Sequence, residues 1–522
     1  MNKNNLPIYF SLAVVFGILI GSFFGEGSGM ISTSKNEAKI KHLLDYIEKD
    51  YVDSVNTDKL LDGAIAEMLE KLDPHSVYIP KENLQAVQEN MQGEFVGIGV
   101  QFRMINDSIT VIQTLAKGPS EKAGIKAGDR ILIANNDTLY GKSIFSNEIP
   151  KYLKGKPNSK IKLHIYRKTN DSLFTINITR GNVNIKSVDI AYMLTKKIGY
   201  IKLDRFARNT YKEFKKAEKQ LLDEGMQTLV LDLRGNGGGF IDMATQIVDE
   251  FLEEGKMIVY TKNNKDYVEE FFSTNKGEFE NGDLYILIDE NSASASEIVA
   301  GAVQDNDRGT ILGRRSFGKG LVQVEMDLGD GSAVRLTTAR YYTPTGRSIQ
   351  KPYSKKNIDS YQRDYLNRLR NGELINKDSI KVNDSLQYKT PKGKIVYGGG
   401  GIIPDVFVAI DTTTYLNNFY YRTINNFSFD YVDSTRDKLT KKWNLESFIT
   451  DFKLEDNLLE EYYKSIKEYQ NRRPPYKDEL QIKEYLKASI ANDLFGDNGF
   501  YRVFHKKDIM LQKVLELEST KE

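Results

Sequence analysis

At 522 residues the chain is long enough for two to four domains. Its 73 basic and 72 acidic residues leave a net charge of +1, too little to argue for a nucleic-acid partner. The absence of cysteine excludes disulfide staples, a cysteine nucleophile, a cysteine-ligated metal and a lipidated N-terminal cysteine. No His/Asp/Glu cluster has metal-ligand spacing, so neither metal nor cofactor is expected.

From Asn4 to Gly25 no residue is charged, and Ile8 to Phe24 is almost wholly apolar. As a helix that stretch would be roughly 33 Å long, enough to cross a bilayer. Lys3 before it and Glu26 after it are consistent with a cytoplasmic N-terminus. Residues 1–25 thus read as a single-pass inner-membrane anchor, with the bulk of the chain in the periplasm or outside the cell. A cleaved signal peptide and a secreted product are the alternative.

Residues 26–92 read as a helical region. Ile40, Leu43, Leu44 and Ile47 form one apolar stripe and Leu60, Leu61, Ala64, Met68 and Leu69 another, with breaks at Pro74 and Pro80. Residues 93–182 change to short strands around a small helix: alternation in Ile109-Thr110-Val111-Ile112, the run Arg130-Ile131-Leu132-Ile133-Ala134, and between them Ala123-Gly124-Ile125-Lys126-Ala127-Gly128-Asp129. This segment resembles a PDZ domain. The resemblance implies that Gly97-Ile98-Gly99-Val100 turns successive N–H groups inward to hold a terminal carboxylate while the peptide adds as a strand.

From about 183 to 409 strands alternate with helices: Gly199 to Leu203, Leu229 to Leu233 and Tyr285 to Ile288, with helical stretches between. That pattern predicts an α/β core around a mostly parallel sheet. The Gly235–Gly239 loop lacks the spacing of a nucleotide-binding loop and opens a helix over 241–252. Residues 351–390 read as a charged surface insertion containing a helix, with no chemistry of its own. Residues 410–522 read as a mainly helical extension, an appendage on the core.

Within the core, Asn291-Ser292-Ala293-Ser294-Ala295-Ser296-Glu297 lies where a strand hands over to a helix. Free N–H groups and the helix dipole there favour developing negative charge, as acyl transfer requires. A serine hydroxyl needs a neighbouring base. None of His42, His75, His164 and His505 falls in the segment, so Lys319 in Phe317-Gly318-Lys319-Gly320-Leu321 is the best base nearby. Burial can lower a lysine to about 7–8, where its neutral amine accepts a proton. Small residues at a helix start also serve simply to cap and pack.

The whole stretch resembles the active-site signature of the carboxy-terminal processing peptidases, or tail-specific proteases, which use a Ser-Lys dyad. Ser294 precedes Lys319 by 25 positions, the family spacing, which singles it out over Ser292 and Ser296. Asp232-Leu233-Arg234-Gly235-Asn236-Gly237-Gly238-Gly239, Leu72-Asp73-Pro74-His75-Ser76, Tyr342-Thr343-Pro344-Thr345-Gly346-Arg347 and Gly398 to Asp405 match flanking family features, and Ser316 stands where threonine is expected. The resemblance implies that Gln323, one helical turn after the lysine, supports it, that Gly237 and Ala295 N–H groups form the oxyanion hole, and that Asp305 supports loop geometry.

The implied protein is a membrane-anchored serine endopeptidase of mixed α/β fold that cuts exported proteins near free C-termini. In relatives the helical region 26–92 can mediate dimerisation, and an adaptor is a further partner the resemblance allows. A catalytically silent PDZ scaffold or chaperone, or a binder of hydrophobic small molecules on the same core, is a rival that an intact Ser294, Lys319 and Gln323 argue against.

Overall fold

The computed structural model describes residues 34–521 apart from 106, 116, 142–143, 146, 354–360, 362, 412–415, 417 and 467–475. The expected anchor at 1–25 lies outside the described residues. Among these, no helix is long and apolar enough to cross a membrane. The chain divides after Leu72 into two compact units.

In the first unit, α1 (Lys35–Asp50) begins at a reciprocal cap, with Ser34 N–H on the Glu37 carboxylate and Glu37 N–H on Ser34 Oγ. Asn56 caps α2 (Thr57–Glu70) through Lys59 N–H. Ile40, Leu43, Leu60 and Met68 of the predicted stripes are exposed.

The second unit opens with a departure from the helical expectation for 26–92. Val77–Ile79 is a strand, β1, which pairs antiparallel with β18 (Ala333–Tyr342) far along the chain, and only then comes α3 (Lys81–Gln92). Bracketed by Pro74 and Pro80, three β-prone residues are too few for a helix and take an offered ladder.

Next, β2 (Glu94–Gly97) pairs with β9 (Gly181–Asn184). Between them lie β3 (Val100–Ile105), β4 (Ser108–Thr114), α4 (Pro119–Lys122), β5 (Asp129–Ala134), β6 (Asp137–Thr138), α5 (Ile149–Leu153), β7 (Lys160–Arg167) and β8 (Ser172–Thr179). The sheet order β3-β4-β5-β7-β8 leaves β3 at an edge. Ile109, Val111, Ile131, Leu163 and Ile165 pack with Ile149 and Leu153 to form its core.

The central sheet contains β10 (Val188–Met193), β11 (Ile198–Leu203), β12 (Thr228–Asp232), β15 (Asp283–Ile288), β16 (Thr310–Gly313) and β21 (Val406–Phe407), adjacent in that order and parallel except for β10. Alternation along its strands sorts the side chains by face. Ile201, Leu203, Leu229, Leu231, Ile286 and Ile288 pack with α6 (Thr210–Asp223), α7 (Ile241–Asp249) and α8 (Ala295–Asp305). Tyr200, Val230, Tyr285 and Leu287 point the other way. A second sheet joins β1, β18 (Ala333–Tyr342), β13 (Met257–Asn263) and β14 (Val268–Phe272), with β17 (Leu321–Asp327) on the other side of β18.

The segment expected to be a surface insertion, 351–390, carries α9 (Asp364–Arg370) and β19 (Gln387–Lys389), which pairs with β20 (Ile395–Tyr397) just beyond it. It is less peripheral than expected: Arg368 is buried and donates to the carbonyls of Arg315, Ser316 and Phe317, which lead to Lys319.

The C-terminal helices are α10 (Asn418–Lys442), α11 (Leu445–Asp451), α12 (Asp456–Ser465), α13 (Tyr476–Phe495), α14 (Asp497–Phe504) and α15 (Ile509–Ser519). They have a core of their own, including Ile424, Val432, Phe448, Tyr462 and Leu486. They also do more than an appendage would. Met510, Leu511 and Val514 of α15 cover the second face of the central sheet, which a parallel sheet needs covered. Phe429 of α10 packs on Ile105 and Ile112, and Asp433 pairs with Arg130 at 2.9 Å.

Candidate active site

Ser294 is the N-cap of α8, with φ 56° and ψ −114°. A non-glycine residue held at such an angle stores strain that its surroundings must sustain, as happens at functional sites. Two buried side chains sustain it. Glu297 Oε2 accepts the N–H of Ser294 at 2.9 Å and that of Lys319 at 2.8 Å, while Oε1 accepts Ser316 Oγ at 2.5 Å and Gly318 N–H at 2.7 Å. The Tyr341 hydroxyl lies 2.7 Å from the Lys319 carbonyl and 3.1 Å from that of Ser294. The two backbones are thus clamped through both their N–H and C=O groups. Burial pushes the Glu297 carboxyl up against the effect of these bonds.

The Gly-rich loop after β12 lies against the same point. Asn236 O accepts Ala293 N–H at 3.0 Å and Ser296 Oγ at 2.9 Å. Gly238 has φ 98°, and a Cβ there would meet Ala293 O at 2.7 Å and Ala295 N at 2.9 Å, so only glycine allows this approach. Its N–H is taken by Asn236 Oδ1. Among the described residues no hydrogen bond engages the N–H of Gly237 or Ala295, which leaves both available to an incoming oxygen.

Ser294, Lys319, Gln323 and Gly237 line one cavity of about 720 Å³, walled also by Phe240, Ile298, Leu321, Arg335 and Tyr341. No hydrogen bond joins the Ser294 hydroxyl to the Lys319 amine among the described residues. Burial, then the Arg335 cation, lowers Lys319 below the usual lysine range, opposed by the Glu297 and Asp73 carboxylates. Such a group can exist as the neutral amine that proton abstraction needs.

Gln323 sits on β17, at a bulge in its pairing with β18, so the helical turn expected between it and Lys319 is absent. A bulge re-aims a strand side chain. Its amide donates to Thr337 Oγ1 at 3.3 Å; Thr337 N–H in turn donates to Ser76 Oγ at 3.1 Å, and Ser76 Oγ to Asp73 Oδ2 at 2.7 Å. Asp305 is away from the cavity: fully buried, it pairs with Arg347 at 2.7 Å and accepts Thr345 Oγ1 at 2.7 Å. His75, although near Lys319, bonds to the Tyr361 hydroxyl at 2.6 Å, and burial together with the Lys319 cation holds its ring at about 4. It is neutral at physiological pH.

At the second sequence-predicted site, Gly97 ends β2, Gly99 has φ 74°, and Val100 opens the edge strand β3. The carbonyls of Ile98 and Gly99 accept Ser120 and Leu115 N–H groups, while no hydrogen bond engages the N–H of Ile98 or Gly99 among the described residues.

Glu297, Tyr341 and Arg335 were not legible as site residues. Glu297 had one local signal, the Ser-x-x-Glu pattern of a helix start, which says nothing of the partners at 316–319. Tyr341 and Arg335 had none, since they arrive on β18.

These features define a serine-type peptidase with a PDZ domain, and comparison with known proteins narrows the class. Peptidase family S41 matches residues 197–360, the PDZ domain 96–178 and the Activating protease CtpB N-terminal domain 25–83; a family of unknown function matches 415–496. A carboxy-terminal-processing protease of Bartonella bacilliformis is 37% identical over 61% of this chain and 74% of its own. A probable CtpA-like serine protease of Staphylococcus aureus is 34% identical over 68% and 71%. A solved photosystem II D1 C-terminal processing protease is 25% identical, covering 73% of this chain and 88% of its own with a TM-score of 0.38. The chain belongs to the carboxy-terminal processing peptidases.

Proposed function

We propose that the protein cleaves exported proteins near their C-termini through a Ser294–Lys319 dyad. The observation that carries this reading is the strained Ser294 in one cavity with a partly buried Lys319 and a loop offering the free N–H of Gly237. Ser294 Oγ attacks the scissile carbonyl as the neutral Lys319 amine takes its proton. The N–H groups of Gly237 and Ala295 receive the oxyanion. Lys319 then gives the proton to the leaving amine, and afterwards draws one from the water that releases the acyl group. Gln323 helps to orient Lys319, and Asp305 holds the 343–347 loop.

The edge strand β3 and the free N–H groups before it support the use of Gly97, Ile98, Gly99 and Val100 to read a substrate's free C-terminus by strand addition. The organisation we propose is an N-terminal region at 26–92 interrupted by strand β1, the PDZ domain at 93–182, the peptidase core at 183–409 and a helical extension from 410. The uncharged stretch 4–25 tethers it to the inner membrane with the catalytic part in the periplasm.

The test is turnover of an unfolded protein with an apolar tail by the purified wild type, Ser294→Ala, Lys319→Ala and Lys319→Arg. All three variants should be inactive yet folded, and the arginine is included because a guanidinium cannot give up its proton. Near-normal turnover by Ser294→Ala would show the nucleophile to be another group.

A further inference from the structure

The loop that carries Gly237 is tied on either side of that residue by Asn236 O, which accepts Ala293 N–H and Ser296 Oγ, and by Gly238 O, which accepts Phe206 N–H at 3.1 Å; its N-terminal side is held by other contacts. Gly235 N–H donates to Asp289 at 2.9 Å, Asn236 Nδ2 to Leu203 O at 2.9 Å, and Lys202 Nζ to Arg234 O at 3.0 Å. A further anchor on that side is the Arg234 side chain, which makes a forked contact with Asp232, its shortest bond being 2.6 Å. Asp232 is itself fixed by the buried Tyr200 hydroxyl at 2.6 Å.

Arg234 has a second anion from the far end of the chain. Asp508 Oδ2 lies 2.8 Å from its Nη2, and both side chains are largely withdrawn from water, at 18% and 10% exposure. In such surroundings a charge-assisted pair is strong and directional. Asp508 cannot drift. Its other oxygen caps α15 by accepting Met510 N–H at 2.9 Å and Leu511 N–H at 3.2 Å. The helix is pinned by buried Met510, Leu511 and Val514 under the central sheet, and Glu518 near its other end accepts Thr228 Oγ1 and Tyr285 Oη, each at 2.8 Å.

We infer that Asp508 is a positioning residue for the peptidase site: through Arg234 it fixes the loop that presents the Gly237 N–H, so the C-terminal helical region completes the oxyanion hole. The inference rests on the reading of Gly237 as an oxyanion donor. Loss of the pair loosens the loop where the transition state needs it and leaves substrate binding along the cavity intact. The effect belongs in kcat and leaves KM alone.

The experiment uses the full chain and a short internally quenched peptide rich in alanine and valine, which reaches the dyad without needing the PDZ domain. Asp508→Asn and Asp508→Ser both keep an N-cap acceptor for α15 and remove the charge, so the second serves if the first fails to fold. Each should lower kcat roughly tenfold, a fraction of the 10²–10³-fold that follows loss of a whole oxyanion donor, with KM unchanged. Arg234→Gln should do the same, and Asp508→Asn added to it should cost nothing more, because both act through one link. A lower melting temperature with unchanged kcat, or effects that multiply in the double variant, would overturn the inference. Ser294→Ala in the same assay separates the two levels: residual turnover there sinks the dyad, whatever the Asp508 variants do.

Discussion

Glu297→Gln is the sharpest perturbation of the site, because one carboxylate holds the proposed nucleophile Ser294 and the proposed base Lys319 together. Its two oxygens accept four donors, the N–H groups of Ser294, Gly318 and Lys319 and the Ser316 hydroxyl. A glutamine amide can accept on one side only, so two donors lose their partner and face an NH₂ group. Bonds to a charged acceptor contribute about 1.5–3 kcal/mol each, so the gross loss is about 3–6 kcal/mol. Relief of a buried charge offsets part of it, leaving a net destabilisation of about 2–4 kcal/mol. Freed of their common anchor, Ser294 and Lys319 lose alignment, and a displacement of about 1 Å lowers kcat by about 10²-fold. The pH profile adds an independent sign. The Glu297 anion favours protonated Lys319; its removal drops the lysine further, and the acid limb of kcat/KM moves to lower pH. Melting temperature and a pH series of peptide cleavage measure both effects. Unchanged kcat, or an acid limb displaced to higher pH, would refute the reasoning.

Arg335→Ala should displace that limb in the opposite direction, since it removes a cation that helps to lower Lys319; a pH–rate profile checks it. Gly238→Ala should abolish turnover, because the added Cβ meets Ala293 O at 2.7 Å in a backbone held at φ 98°; an unaltered kcat would contradict the packing described. Asp305→Ala should lower stability by about 3–5 kcal/mol by stranding the fully buried Arg347, read by denaturant unfolding. His75→Gln should leave the acid limb of kcat/KM in place, because that ring, held at about 4, has lost its proton well below neutral pH. One substrate protein with free, amidated or Asp-Asp-extended tails should be cleaved fastest with the free apolar end; equal rates would mean that the PDZ domain does not read the terminus.

The sequence by itself determined what depends on neighbours along the chain. The apolar runs at 229–233 and 285–288 made strands and the small-residue stretch at 291–297 made a helix start, while the proposed pairing of Ser294 with Lys319 came from the family resemblance. Each rests on periodicity or on a motif a few residues long, and each element formed where local preference and burial agreed. Tertiary structure decided the rest, because the information lies in pairs distant along the chain. Val77–Ile79 became a strand only because β18 offered it a ladder. Gln323 sits on a bulged strand, where no local signal distinguishes a helical from an extended offset of four. Tyr341 and Arg335 entered the site through the pairing of β17 with β18, and Arg368 braced the approach to Lys319 from a segment whose charge suggested solvent. The C-terminal extension was legible as mainly helical. That α15 covers one face of the central sheet, and brings Asp508 to Arg234, follows from a parallel sheet's need for cover on both faces.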